Sequence, residues 1–207
     1  MPPARTRAPR TPLWVRGIVA AIVIGGPLAW LVQWHGRVVN EHRLGAIASQ
    51  IAGRHVTVHC PGMIGRALRY DIVEGTVQFD AQGRPADETK LRAFPCAELD
   101  ALAEGRRAGV LACVARAGDC GKAEDDLAVA IDVLTHESFH LAGYADEAAA
   151  ECHSLQTMAW TAQQLRVAPE VARRLAAWQA THAYLQMPSQ YRGACDLSGQ
   201  AGPSPGR

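Results

Sequence analysis

From residue 122 to residue 187 the chain reads as almost uninterrupted helix, broken only at Gly143-Tyr144-Ala145 and around Val167-Ala168-Pro169. Helices joined by links that short must pack against one another, so this run fixes the architecture of the C-terminal half. Upstream the pattern changes. His55-Val56-Thr57-Val58-His59 alternates polar and apolar residues, as a half-buried strand does. Residues 72–79 are a second strand candidate, ended by a turn at Asp80-Ala81-Gln82-Gly83. Helices are predicted over 37–54, with Leu44, Ile47 and Ile51 on one face, and over 99–111. A few strands followed by packed helices make an α+β domain. Hydrophobic residues are 48% of the 207, enough for a core, and a net charge of +1 leaves no basic field to gather nucleic acid.

The N-terminus suggests where that domain resides. Residues 1–12 carry Arg5, Arg7 and Arg10 among prolines with no acid, a disordered basic leader. Gly17 to Trp34 is a run of eighteen uncharged residues, the length of a membrane-crossing helix, with Trp14, Trp30 and Trp34 placed as interfacial aromatics. The segment before Trp34 offers no small-x-small cleavage site, so a retained signal anchor is expected over 13–35, with a cleaved signal peptide and a secreted body as the alternative. The basic leader would keep the N-terminus cytoplasmic, with a single-pass chain placing an extracytoplasmic body at 36–198 and a Gly/Pro/Ser tail at 199–207. Six cysteines, Cys60, Cys96, Cys113, Cys120, Cys152 and Cys195, all fall in that body. An even count in an oxidising compartment predicts up to three disulfides; Cys113 and Cys120 flank a short loop and are the obvious local pair.

The chemistry lies at His136-Glu137-Ser138-Phe139-His140, which has the form H-E-x-x-H within a helical segment. Positions i and i+4 share a helix face, so both imidazoles can reach one metal ion, and Glu137 projects beside it. At about 100° per residue, Leu127, Ile131, Leu134, Ser138 and Leu141 make one core face. His136 and His140 point the opposite way with Val129 and Val133, so the second face is partly apolar, as the wall of a cleft would be. Gly143 can close this helix and Asp146 can cap the next. In that next helix Glu147, Glu151, Leu155, Met158, Ala162 and Leu165 form an inward stripe, and buried glutamates must be paired or bound to metal.

His136-Glu137-x-x-His140 followed by Glu147-x-x-x-Glu151 resembles the gluzincin zinc metallopeptidases. The resemblance covers about residues 127–165 and implies a small zincin-like domain, a Zn2+ cofactor held by His136, His140 and Glu147, and Glu151 bracing a ligand histidine. It departs from the family in having Glu, where Asp is usual, at the bracing position, and in the short link between the helices. His136-Glu-x-x-His140-x-x-Gly143-x-x-Asp146 also has metzincin spacing, so Asp146 stands as an alternative third ligand and Glu151 as another. Met158 and Met187 fall in or at the end of helices, which does not suit a metzincin Met-turn.

The implied activity is hydrolysis of peptide or amide bonds outside the cytoplasm, with Glu137 activating the attacking water. Tyr144, His153, His182, Tyr184, Tyr191 and Arg192 are candidate donors to the substrate oxyanion. The His55–His59 strand is the candidate edge for binding a peptide substrate. The alternative is a non-catalytic envelope protein stabilised by zinc and disulfides. Besides substrate and membrane no partner is implied, and nothing in the pattern marks an oligomer interface.

Overall fold

Leu44, Ile47 and Ala48 form the buried side of the first helix, α1 (40–52), in a computed structural model that describes residues 40–62 and 75–197. Gly53, at φ +68, stops that helix. The Ser49 hydroxyl donates to Gly45 O at 2.7 Å and accepts from Val56 N at 3.0 Å, which lays the next strand against α1. That strand, β1 (Thr57–His59), buries Val58 between exposed neighbours, the expected alternation. β2 (Gly75–Phe79) and β3 (Pro85–Leu91) form a hairpin. Its turn falls where expected: the Asp80 carboxylate accepts from Gln82 N and Arg84 N, both at 2.9 Å, and Gly83 takes φ +74. The sheet order is β1-β3-β2, with β1 parallel and β2 antiparallel to β3. Sequence pattern did not anticipate β3, because of its seven residues only Thr89 and Leu91 are buried.

The helix expected over 99–111 is two helices, α2 (Ala93–Ala103) and α3 (Ala108–Ala115). Gly105 at φ +75 separates them, and the Arg107 guanidinium turns back onto buried Glu98, with Nε donating to Oε2 at 2.7 Å. α4 (Lys122–Leu141) is the central helix, packed against β2, β3, α2 and α5 (Glu147–Gln164). Its core face is the one anticipated: Leu127, Ile131, Leu134, Ser138 and Leu141 are fully buried. α6 (Pro169–Trp178) runs on through a π-helical turn, Gln179–Ala183, into the short α7 (Tyr184–Gln186), and a 3-10 turn follows at Ser189–Tyr191.

Three disulfides, Cys60–Cys96, Cys113–Cys120 and Cys152–Cys195, leave no free cysteine among the described residues. They close sequence separations of 36, 7 and 43 residues. On chain-entropy grounds each long bridge stabilises by up to about 4 kcal/mol and the short one by about 2 kcal/mol.

The fold class expected from sequence needs one correction. The protein is α+β, with a three-stranded sheet and a helical C-terminal half, but no described helix is long and apolar enough to cross a membrane. The longest, α4, has 20 residues and carries Glu124, Asp125, Asp126, Asp132 and Glu137, an amphipathic composition that no bilayer core would accept. The span expected over 13–35, with the leader before it and the tail after 198, lies outside the described residues.

Candidate metal centre

His136 and His140 stand one helical turn apart on α4, with ring centroids 4.6 Å apart. Between α4 and α5 the chain reverses tightly: Gly143 takes φ +106, Gly143 N donates to His140 O at 2.9 Å, and Tyr144 N donates to Phe139 O at 3.1 Å. Asp146 then caps α5, accepting from Ala149 N at 2.8 Å. This reversal points the first residue of α5, Glu147, back at the histidines. Glu147 Oε2 lies 3.1 Å from His136 Nε2 and 3.3 Å from His140 Nε2, and the two Nε2 atoms are 2.9 Å apart.

The outer nitrogens are committed elsewhere. His136 Nδ1 donates to Glu151 Oε2 at 2.9 Å, and His140 Nδ1 donates to Tyr144 O at 2.6 Å. With the Nδ1 protons so engaged, neutral rings turn lone pairs inward at both Nε2 atoms. Three electron-rich atoms at such distances repel one another unless a proton or a cation lies among them. Ligands about 2.0–2.1 Å from a tetrahedral zinc stand about 3.3 Å from each other, close to the edges of this triangle. The group His136, His140 and Glu147 can therefore hold a metal ion. The histidines are 7% and 6% exposed, while the Glu147 side chain is 41% exposed, so the triangle is buried on the helix side and open on the other.

Without metal, a proton takes the ion's place. Burial lowers the pKa of His136, but hydrogen bonds to Glu147 and Glu151 outweigh it and raise the value to about 10. The same hydrogen bond from His136 lowers the pKa of Glu147.

Glu137 is 5% exposed and turns toward the sheet. Thr89 Oγ1 donates to its Oε2 at 3.3 Å, and Gly75 sits so close that a Cβ there would collide with the carboxylate. Burial raises the pKa of Glu137, against the charges of His136 and His140. Gly75 and Thr89 were not anticipated. They belong to strands whose pairing brings them to α4, and only a glycine within the strand candidate 72–79 hinted at close approach.

Of the three candidate third ligands, the structure brings Glu147 to the histidines, places Glu151 behind His136, and turns Asp146 to the helix cap. β1, whose His59 is exposed like the preceding His55, is one edge of the sheet; the other edge is β2, which packs on α4 and whose Phe79 ring stands 6.2 Å from that of His140.

The six candidate oxyanion donors separate clearly. Tyr144 and His153 pack with Phe139, Tyr184 bonds to the Gly193 backbone, and His182 stacks on Trp178. Arg192 Nη1 turns to Leu185 O. Tyr191 alone among them packs on an imidazole of the triangle, with its centroid 5.8 Å from that of His136. Its phenol pKa is raised by partial burial and by the charge of Glu147, followed by those of Glu137 and Glu151.

Comparison with protein-family models, with curated proteins and with solved structures gives no match for this chain.

Proposed function

We propose that the chain is a zinc-dependent hydrolase of peptide or amide bonds, of gluzincin type, with His136, His140 and Glu147 as the metal ligands and Glu137 as the general base. The observation that carries this reading is the convergence of two imidazole Nε2 atoms, whose rings are already bonded through Nδ1, and one carboxylate oxygen. Two imidazoles and a carboxylate suit zinc, and three protein ligands rather than four leave a position free for chemistry. Zinc held by these residues would lower the pKa of a bound water to about 7 and would polarise a carbonyl. Glu137, adjacent in sequence to one ligand and fixed by Thr89 and Gly75, takes the water's proton and returns it to the leaving nitrogen. β2 offers the strand edge along which an extended peptide would bind. Three disulfides and no free cysteine among the described residues support an oxidising compartment outside the cytoplasm.

The test is Glu137→Ala in the zinc-loaded chain, assayed against a peptide library by mass spectrometry. Zinc stays bound and cleavage falls by at least about 10³-fold. Turnover that survives the substitution refutes the assignment.

A further inference from the structure

The two histidines of the triangle are held from behind in different ways. His136 Nδ1 donates to Glu151, whose side chain is buried and rooted in α5. His140 Nδ1 donates instead to a main-chain carbonyl, Tyr144 O, at 2.6 Å. That carbonyl belongs to the link 143–146, whose four residues are all exposed. The backbone bonds that close α4 end at Tyr144 N, which donates to Phe139 O, and those of α5 begin at Asp146. The carbonyl of Tyr144 lies between the two ladders, where an exposed peptide group can turn away with little to oppose it. The side chain of the same residue supplies what the backbone lacks. Its ring centroid lies 4.4 Å from that of His153 and 5.7 Å from that of Phe139, and the His153 ring stacks on Phe139 at 5.3 Å. Phe139 comes from α4 and His153 from α5, so the three rings clamp the link to both helices. With 38% of its surface exposed, Tyr144 gains little core from this position; what it gains is a fixed place.

We propose that Tyr144 is a positioning residue of the metal centre: its ring, seated on Phe139 and His153, fixes the main-chain carbonyl that orients the His140 imidazole with Nε2 in the triangle. The proposal rests on the metal-ligand part of the reading above. A ligand imidazole swings about its bond to Cβ unless its other nitrogen is held, and the bond at Nδ1 also selects the tautomer with a lone pair at Nε2. At His136 a buried carboxylate does both. At His140 the holding group moves with an exposed link, so the ring contacts take the place of the helix that carries Glu151. The phenolic hydroxyl has no part in this, and any aromatic ring at 144 would serve. Asp146, two residues on, bonds to Ala149 N, so it shares the link but not the clamp.

The experiment measures zinc affinity, by competition with a chromophoric chelator, on the disulfide-bonded full chain as wild type, Tyr144→Ala, Tyr144→Phe, His153→Ala and Asp146→Ala. Tyr144→Ala keeps the carbonyl itself yet binds zinc about tenfold more weakly, the lower end of what losing a ligand's outer partner costs. His153→Ala removes the seat of the ring from the other helix and weakens zinc in the same direction. Tyr144→Phe and Asp146→Ala stay within about twofold of wild type, although the second melts earlier. A second readout needs neither zinc nor substrate. In nitrogen-15 NMR of the metal-free chain, the Nδ1 proton of His140, assigned by its absence in His140→Ala, exchanges slowly with solvent in wild type and Tyr144→Phe. In Tyr144→Ala it exchanges at least about tenfold faster. Zinc affinity unchanged in both Tyr144→Ala and His153→Ala overturns the proposal. So does a Tyr144→Phe or Asp146→Ala variant that loses as much as Tyr144→Ala, since the hydroxyl or the link in general would then be responsible. A Glu137→Ala variant that still cleaves peptide refutes the hydrolase reading alone; a wild type that takes up no zinc refutes the ligand set and this proposal together.

Discussion

Substituting the three acids at the start of α5 one at a time separates ligand, brace and cap. Glu147→Ala removes one of three converging donors. Zinc sites of four ligands bind with about 10–16 kcal/mol, or about 3–4 kcal/mol per ligand, so affinity falls by about 10²–10³-fold. Glu151→Ala acts at one remove. It deletes the acceptor 2.9 Å from His136 Nδ1 at a site 1% exposed, and loss of such a partner weakens metal binding by about 10–100-fold. Glu151→Gln keeps an acceptor oxygen and recovers most of that loss. Asp146→Ala leaves affinity unchanged, because its carboxylate bonds to Ala149 N and not to the triangle, but removes a helix cap worth about 1 kcal/mol of stability. The assay is competition for zinc against a chromophoric chelator on the disulfide-bonded chain, with thermal melts in parallel. An Asp146→Ala variant that loses zinc as severely as Glu147→Ala, or a Glu151→Ala variant that loses more, would refute the ligand geometry.

Two further outcomes follow from the site. Gly75→Ala drives a methyl group into the Glu137 carboxylate; it costs about 1–3 kcal/mol of stability and cuts turnover at least about tenfold, while zinc remains bound. Bound zinc lost along with activity would show that Gly75 supports the fold and not the base. In the metal-free protein the pKa of His136 is raised from 6.5 to about 10, so its contribution is fully present below 6.5 and is lost as pH rises through 10. Urea unfolding should therefore show the apo form weakening across that window, by at most about 5 kcal/mol, while the zinc form does not. A flat apo profile would mean that His136 carries no extra proton.

Periodicity made α4 and its two faces legible, because a helix repeats every turn and Leu127, Ile131, Leu134 and Leu141 mark the buried side without help from any other element. Asp146 as a cap and Gly143 as a stop were legible for the same local reason. The choice among Asp146, Glu147 and Glu151 was not. All three lie within about a turn of the start of α5, and only the path from Gly143 to Asp146 decides which carboxylate faces back. The surroundings of Glu137 were also hidden, since Thr89 belongs to a strand that mixes Asp87, Glu88 and Lys90 with only two buried residues. Tyr191 could be named as a candidate but not placed. Its position depends on the Cys152–Cys195 pairing, and spacing alone leaves the partners of six cysteines open.

The triangle requires α4 and α5 to stand in one register, and a buried polar cluster behind it sets that register. Asp132, one helical turn before His136, is 2% exposed. Its Oδ1 accepts from Ser154 Oγ of α5 at 2.6 Å, and its Oδ2 accepts from Gln179 Nε2 at 2.7 Å. Burial first, and the charge of Glu151 next, raise its pKa well above the usual carboxylate range. An apolar residue at 132 would tolerate sliding of the helices, but a buried carboxyl group with two fixed partners does not, since any shift strands a polar group without water. Gln179 reaches it from the first residue of the π-helical turn, where the wider spiral lets α6 continue into α7 while presenting an amide to the core. The same α5 helix presents Ser154 to Asp132, Glu151 to His136 and Glu147 to both imidazoles. A shift that broke the first contact would carry the other two out of range, so one polar anchor specifies the spacing on which the donor triangle depends.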